Sequence, residues 1–199
     1  MAVQIEAYRT PDELAADLVE LSRVDWGLVW PGRSGADAQR WSAQFGWRLE
    51  QIDRMEDLVV RLRSGGTLDV LHDRKVPYPH PVKWVGLDVW SATAQTVADN
   101  AGLFVSADHE WPRYLAAGSR AIGEPGISTA WDDPEFPDSS RWPDREDRLR
   151  QRRPYRLAGW LVSGAIMELD VSPSGSAAAN SYPGRILLSL AVRPSQARP

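Results

Sequence analysis

The chain has 199 residues, of which 43% are hydrophobic and 25% are charged, and its formal net charge at pH 7 is −4. This composition is typical of a folded domain and excludes an intrinsically disordered chain. The negative net charge disfavours nucleic-acid binding, which depends on basic residues that contact phosphates. Because the chain has no cysteine, disulfides, thiolate metal sites and thiol nucleophiles are excluded.

No targeting segment is expected from the sequence. Residues 1–9 lack the basic start, the apolar run and the small-residue cleavage site of a signal peptide. Apolar stretches remain far shorter than the roughly 20 residues that a membrane-spanning helix needs. The expected location is therefore the cytoplasm, with no contact to a membrane.

Two helices are predicted near the start of the chain. A capping box at 10–13, with Pro11 at the first helical position and leucines repeating on one face, predicts a helix over 11–23. Asp37 can cap a second helix, which Gly46 ends. Both helices would pack through their apolar faces.

An alternating apolar and polar pattern follows and predicts strands. They are expected at 58–63, 67–72 and 83–90, and residues 47–51 allow a short strand ahead of them. The Ser-Gly-Gly sequence at 64–66 supplies the tight turn of a hairpin. These segments together form an antiparallel run.

The second half of the chain begins with helices and ends with strands. A helix capped by Ser91 is predicted over 92–100, and another begins at Asp108 and stops at 123–126. The predicted segments that follow are a strand at 128–131, a charged helical run at 145–153, and strands at 156–162, 165–171 and 185–192.

The order αα-βββ-α(α)-β-βββ predicts a single α+β domain over residues 1–199. Since the strands come in consecutive runs, the expected sheet is mainly antiparallel, with helices packed on one face. Residues 132–153 are predicted to form an acidic and aromatic insertion loop, and residues 194–199 a frayed tail.

The most unusual segment is 131–147, which carries seven carboxylates, three prolines and three large aromatics. It is too polar and too rich in proline for a core element, and exposed aromatics favour association. The segment is therefore predicted to bind a protein partner, although its aromatics could instead fold back onto the body. The predicted partner-binding residues are Trp131, Asp132, Asp133, Glu135, Phe136, Asp138 and Trp142.

Potential metal ligands are densest around Asp69, His72 and Asp73, with His80 further along the chain. On a strand, Asp69 and Asp73 share a face while His72 points to the other, so these ligands would not converge. No metal site and no cofactor are predicted.

Signatures of catalysis or of phosphate binding are missing from the sequence. His109 could act as a general base but is expected to be a surface residue. The carboxylate pairs 132/133 and 146/147 could in principle serve a glycosidase, but they are expected to face solvent or a partner. The arginines of 148–153 have neighbouring carboxylates as partners, so no nucleic-acid contact and no catalytic residue are predicted.

Several short sequences carry a resemblance to known proteins. Val-Asp-Trp at 24–26, Phe-Gly-Trp at 45–47, Ile-Gly-Glu-Pro at 122–125 and the run around 160–169 resemble small actinobacterial proteins of the polymorphic-toxin immunity type. The resemblance implies a non-enzymatic protein that binds a cognate secreted toxin and occludes its active site. The toxin would be an NAD glycohydrolase or a nuclease.

Two other functions stay open. The order of elements also resembles secretion-chaperone folds, which would bind an effector segment on the sheet and dimerise. A small-molecule enzyme would need a pocket that collects Asp69, His72, His80 or His109. The oligomeric state is left open, and the resemblance assigns no binding residue by motif.

Overall fold

The structure is a computed structural model that describes residues 2–32, 37–53, 57–76, 80–137, 142–174 and 182–195. Its strands are β1 Val3–Ala7, β2 Arg48–Ile52, β3 Leu58–Arg61, β4 Thr67–His72, β5 Val82–Ala94, β6 Ile127–Ala130, β7 Arg156–Val162, β8 Ala165–Pro173 and β9 Arg185–Pro194. Its α-helices are α1 Pro11–Ser22, α2 Trp26–Val29, α3 Ala38–Gln44, α4 Asn100–Ile122 and α5 Arg145–Gln151, with a 3-10 turn at Val97–Asp99.

The nine strands of the described residues form one antiparallel sheet, which confirms the predicted α+β class. The strand order is β2-β3-β4-β5-β9-β8-β7-β6, and β1 also pairs with β5. The long strand β5 organises this arrangement. One of its edges pairs with β4 in the first half and with β1 in the second, while β9 pairs along the other edge.

The long helix α4 packs against β5, β7, β8 and β9, and α1 packs on α4. The close approach of α4 to β7 depends on Gly118, because a Cβ at this position would lie 3.0 Å from Cζ2 of Trp160. The indole of Trp160 also donates a hydrogen bond to the Gly123 carbonyl at 2.7 Å. These contacts agree with the predicted packing of helices on one face of the sheet.

Most of the N-terminal tryptophans pack together in the core. Neighbouring rings of Trp26, Trp30, Trp41, Phe45 and Trp47 have centroids 5.0 to 6.1 Å apart. All four tryptophans are buried. Each ring buries a large apolar surface, so this cluster fixes α2 and α3 against the start of β2.

The predicted helix over 92–100 is wrong. Residues up to Ala94 continue β5, because Ala92 and Ala94 are buried and residues 90–94 pair with β1. The next helix accordingly begins at Asn100 and not at Asp108, and it continues through Pro112. A proline removes only one backbone donor, and the packing of α4 on the sheet outweighs that loss.

Both ends of the chain differ from the expectations in detail. The strand β1 and the short helix α2 were not predicted. The residues of β1 do alternate between apolar and polar, but the strand has only five residues and is mostly exposed. Pro194, which was expected to begin a frayed tail, is paired with Ala165 at the end of β9. Residues 196–199 lie outside the described residues.

Within the described ranges, no helix combines the length and the apolar character that are needed to cross a bilayer. The longest of them, α4, is 23 residues long. It also carries several charged residues, among them Asp108, Glu110 and Arg113.

Candidate functional site

A groove of about 1010 Å³ lies on the face of the sheet opposite to α4. Trp160, which contacts α4, is in register with Met167, and Met167 with Val192. Successive side chains of a strand point to opposite faces, so Arg193 and Gly86, which line the groove, belong to the other face. The groove is therefore built from side chains that the helices leave uncovered.

Three carboxylates from three strands line this groove: Asp69 of β4, Asp88 of β5 and Asp170 of β8. Asp170 is 6% exposed and accepts hydrogen bonds from the hydroxyls of Ser172 at 2.7 Å and Ser189 at 3.1 Å. Asp69 and Asp88 are exposed instead. Among the described residues, neither has a hydrogen-bond or ion-pair partner.

Electrostatic repulsion acts between the unpaired carboxylates. Partial desolvation of the Asp69 carboxyl in the groove raises its pKa, and the nearby carboxylates of Asp88 and Asp57 raise this pKa further. A group whose charged form is disfavoured in this way gains from a bound cation. The local field at Asp69 is therefore negative, although Lys83 and Arg153 also line the groove.

Two tryptophans form aromatic walls of the groove. The indole of Trp84 lies on the backbone of Gly86, since a Cβ on Gly86 would be only 2.2 Å from Cζ3 of Trp84. Trp142, one of the predicted partner-binding residues, is half-buried and lines the groove from the side of the acidic loop. The sheet and the loop thus meet at this site.

A smaller cavity of about 590 Å³ adjoins the groove and shares Trp142 and Arg193 with it. Its floor includes Glu168, which accepts a hydrogen bond from Nε of Arg193 at 2.9 Å. Its outer wall is apolar, because Ile127 is 44% and Leu161 is 75% exposed. The uncovered face is therefore charged near β4 and β5 and apolar near β6 and β7.

The aromatics at the start of the acidic loop fold inward. Phe136 is 5% exposed, and the guanidinium of Arg148 lies 4.2 Å from the centre of its ring. Trp131 packs against the core, and its carbonyl accepts a hydrogen bond from Nε of Arg148 at 3.0 Å. Arg152 lies 5.1 Å from the centre of the Trp131 ring. These contacts hold residues 131–136 in one conformation.

The carboxylates of the same loop are divided between structural and exposed positions. Asp133 accepts hydrogen bonds from the Glu135 backbone and the Thr129 hydroxyl, both at 2.8 Å. These two bonds, with a smaller effect from Arg148, lower the pKa of Asp133. Asp132 and Glu135 are exposed on the surface of the turn. Asp138 lies outside the described residues.

The histidines do not form a common pocket with Asp69 in the part of the chain that the structure describes. His72 is buried at 9% exposure, whereas Asp69 lines the groove. His80 contacts the Val76 carbonyl, and His109 is exposed on α4 beside Glu110. Among the described residues, no group of three His, Asp or Glu side chains is arranged to hold a metal ion.

Sequence reasoning missed the groove residues Trp84, Asp88 and Asp170. A signal was present, because Asp88 and Asp170 are charged residues within the predicted strands 83–90 and 165–171. A charged residue inside a strand often lies on its uncovered face. The sequence does not show, however, that the uncovered faces of β4, β5 and β8 adjoin.

Comparison with known proteins adds no functional assignment to this geometry. No protein-family model matches the chain, and neither a curated protein nor a solved structure matches it. The resemblance to immunity proteins therefore stays a prediction. The geometry itself describes an uncovered sheet face, a turn held in place by its own aromatics, and exposed carboxylates on both.

Proposed function

We propose that this protein binds and neutralises a basic partner protein and that it is not an enzyme. The partner would be a secreted toxin of the NAD-glycohydrolase or nuclease type, whose active site the bound protein would cover. One observation carries the proposal. The acidic turn is fixed by Trp131, Phe136 and Arg148, so that Asp132 and Glu135 are exposed on a preorganised surface.

Preorganisation supports a binding role because it reduces the entropy that is lost on association. If the turn were free to move, ordering each side chain at an interface would cost about 0.5–1.5 kcal/mol. Here the inward-facing aromatics hold the turn before any partner arrives. The exposed carboxylates are therefore free to contact a partner without rearrangement.

Charge supports a basic partner. Toxins that act on NAD or nucleic acid need clefts that attract phosphates, and such clefts are basic. Carboxylates on the binding protein would increase the rate of encounter with that cleft and disfavour acidic partners. The net charge of −4 favours the same choice of partner.

The first test replaces Asp132 and Glu135 together with alanine. Asp133 is kept, because it organises the turn through Thr129 and the Glu135 backbone. We expect the association rate with the toxin to fall about tenfold or more at low salt, and less at high salt, because the changed charges steer the encounter. Binding kinetics at two ionic strengths measure this effect.

The matched control replaces Asp12 and Glu124, two exposed carboxylates near α1 and the end of α4, with alanine. It removes the same charge from the helix side of the molecule. If both double variants bind the toxin equally well, the loop is not the binding surface.

A secretion chaperone is a second candidate, and the exposed Leu161 and Ile127 favour it. A chaperone would hold an amphipathic effector segment on this apolar part of the sheet. It would also form a dimer in solution, whereas the immunity function requires only a complex with the folded toxin. The molar mass of the free protein, measured by light scattering, separates the two.

A further inference from the structure

We infer that the groove contains a receptor site for a guanidinium group, formed by Trp84, Asp69 and Asp88. The group would belong to an arginine of the partner protein. This inference rests on the proposed function, because it names the side chain that a basic partner would insert into the uncovered face.

The aromatic part of the site is Trp84. The indole lies against the backbone of Gly86, where a Cβ would come within 2.2 Å of Cζ3 and 2.9 Å of Cε3. The side chain is half-buried and lines the groove, so the part of the ring that faces the groove is accessible to a ligand. A tryptophan face is the strongest aromatic partner for a cation.

The carboxylates flank this ring. Asp69 is the cross-strand neighbour of Gly86, and Asp88 stands two residues beyond Gly86 on the same face of β5. Both are exposed, and within the described ranges both lack an ion-pair partner. A cation between them would relieve their repulsion and keep both in the charged form.

The remaining charges of the groove do not neutralise this pair. Asp170 is occupied by two serine hydroxyls, and Arg193 is paired with Glu168. Lys83 and Arg153 line the same groove, and neither forms an ion pair with Asp69 or Asp88 in the described structure. The two carboxylates next to Trp84 therefore stay available for a ligand.

A guanidinium fits this arrangement better than other cations. It is planar, stacks on an aromatic face, is weakly hydrated and donates several hydrogen bonds in one plane. An ammonium is a compact, strongly hydrated charge and stacks less well. A metal ion would need more ligands, and the described residues offer no group of three acidic or histidine side chains for it.

The probe for this site is N-acetyl-arginine N-methylamide, titrated into the nitrogen-15-labelled protein and followed by NMR. We expect saturable shifts of the Trp84 indole and of the Asp69 and Asp88 amides. The citrulline analogue, which has the same shape without the charge, should bind at least about tenfold more weakly. Equal binding of both compounds, or shifts confined to other regions, would overturn the site.

Two variants of the protein give an independent test. Asp69→Asn and Asp88→Asn keep the side-chain size at exposed positions, and each should weaken arginine binding about tenfold. Asp12→Asn, on the helix side, should leave it unchanged. If one of the two groove variants fails to fold, arginine binding by the other variant still tests the site. Binding that matches the unmodified protein in a folded groove variant contradicts the proposal.

Measuring the affinity for the toxin distinguishes a failure of this inference from a failure of the proposed function. Asp88→Asn should weaken the complex, and the double change of Asp132 and Glu135 should leave arginine binding intact. A strong toxin complex without any arginine binding overturns the receptor site alone. Arginine binding by a protein that binds no toxin overturns the proposed function and leaves only the guanidinium chemistry of the groove.

Discussion

Gly86 is the residue on which the shape of the groove most depends. Any side chain here would meet Cζ3 of Trp84 at 2.2 Å and the Leu190 carbonyl at 3.0 Å. Gly159 of β7 lies on the same face of the sheet, yet its nearest neighbour is Cβ of Ile127 at 4.0 Å. Both glycines therefore belong to β-strands, and they differ in the free space that a Cβ atom would find.

We expect Gly86→Ala to displace the Trp84 ring and to lower the free energy of unfolding by about 1–3 kcal/mol, as overpacking does. Because the Trp84 ring would be displaced, arginine binding in the groove should also be lost. Gly159→Ala should stay within about 1 kcal/mol of the unmodified protein, because its site has room for a methyl group. Urea denaturation measures both. Equal losses for the two variants would show that Trp84 does not rest on Gly86.

Arg148 connects the helix α5 to the acidic loop. Its side chain is buried at 3% exposure, lies over Phe136 and donates to the Trp131 carbonyl. Arg150 is on the same helix, but its side chain is 68% exposed and pairs only with Asp147 among the described residues. The position of the loop therefore depends on one arginine of α5 and not on the charge of the helix.

Replacing Arg148 with methionine should release residues 131–136 from the body. The expected loss in free energy of unfolding is about 1–3 kcal/mol, because the partly buried Trp131 carbonyl loses its donor. Backbone amide exchange in 131–136 should become faster, whereas Arg150→Met should leave it unchanged. Unaltered exchange in the Arg148 variant would mean that the turn is held by other contacts.

Elements with a clear local pattern were predicted well from the sequence. The helix α1 has its capping box, and β7 and β8 form a hairpin from the strands predicted at 156–162 and 165–171. The prediction failed at residues 92–94, where the sequence allows a helix but the pairing of Ala92 and Ala94 with β1 favours a strand. Such pairing joins distant residues, and local propensity does not contain it.

The candidate site was likewise predicted only in part from the sequence. The acidic loop was visible in the composition of 131–147, since prolines, carboxylates and aromatics are adjacent there. The inward position of Phe136 depends on Arg148 of a later helix. The groove depends on the register of several strands, which places Asp69, Asp88 and Asp170 on one surface. No local sequence pattern determines that register.

The whole molecule has two different faces. Helices α1 and α4 cover one face of the sheet, and the other carries the groove and the smaller cavity, which Pro137, Trp142 and Pro143 of the acidic loop help to line. The uncovered face, with its carboxylates and exposed Leu161, fits a surface that meets a partner.

The most direct test of the proposed function is co-expression with the product of the adjacent gene, as the candidate toxin, in a host that lacks both. We expect growth to be restored and a stoichiometric complex of the two folded proteins to be purified, with toxin activity inhibited in the complex. Continued growth arrest, with the protein recovered alone or as a self-dimer, would contradict the proposed neutralisation.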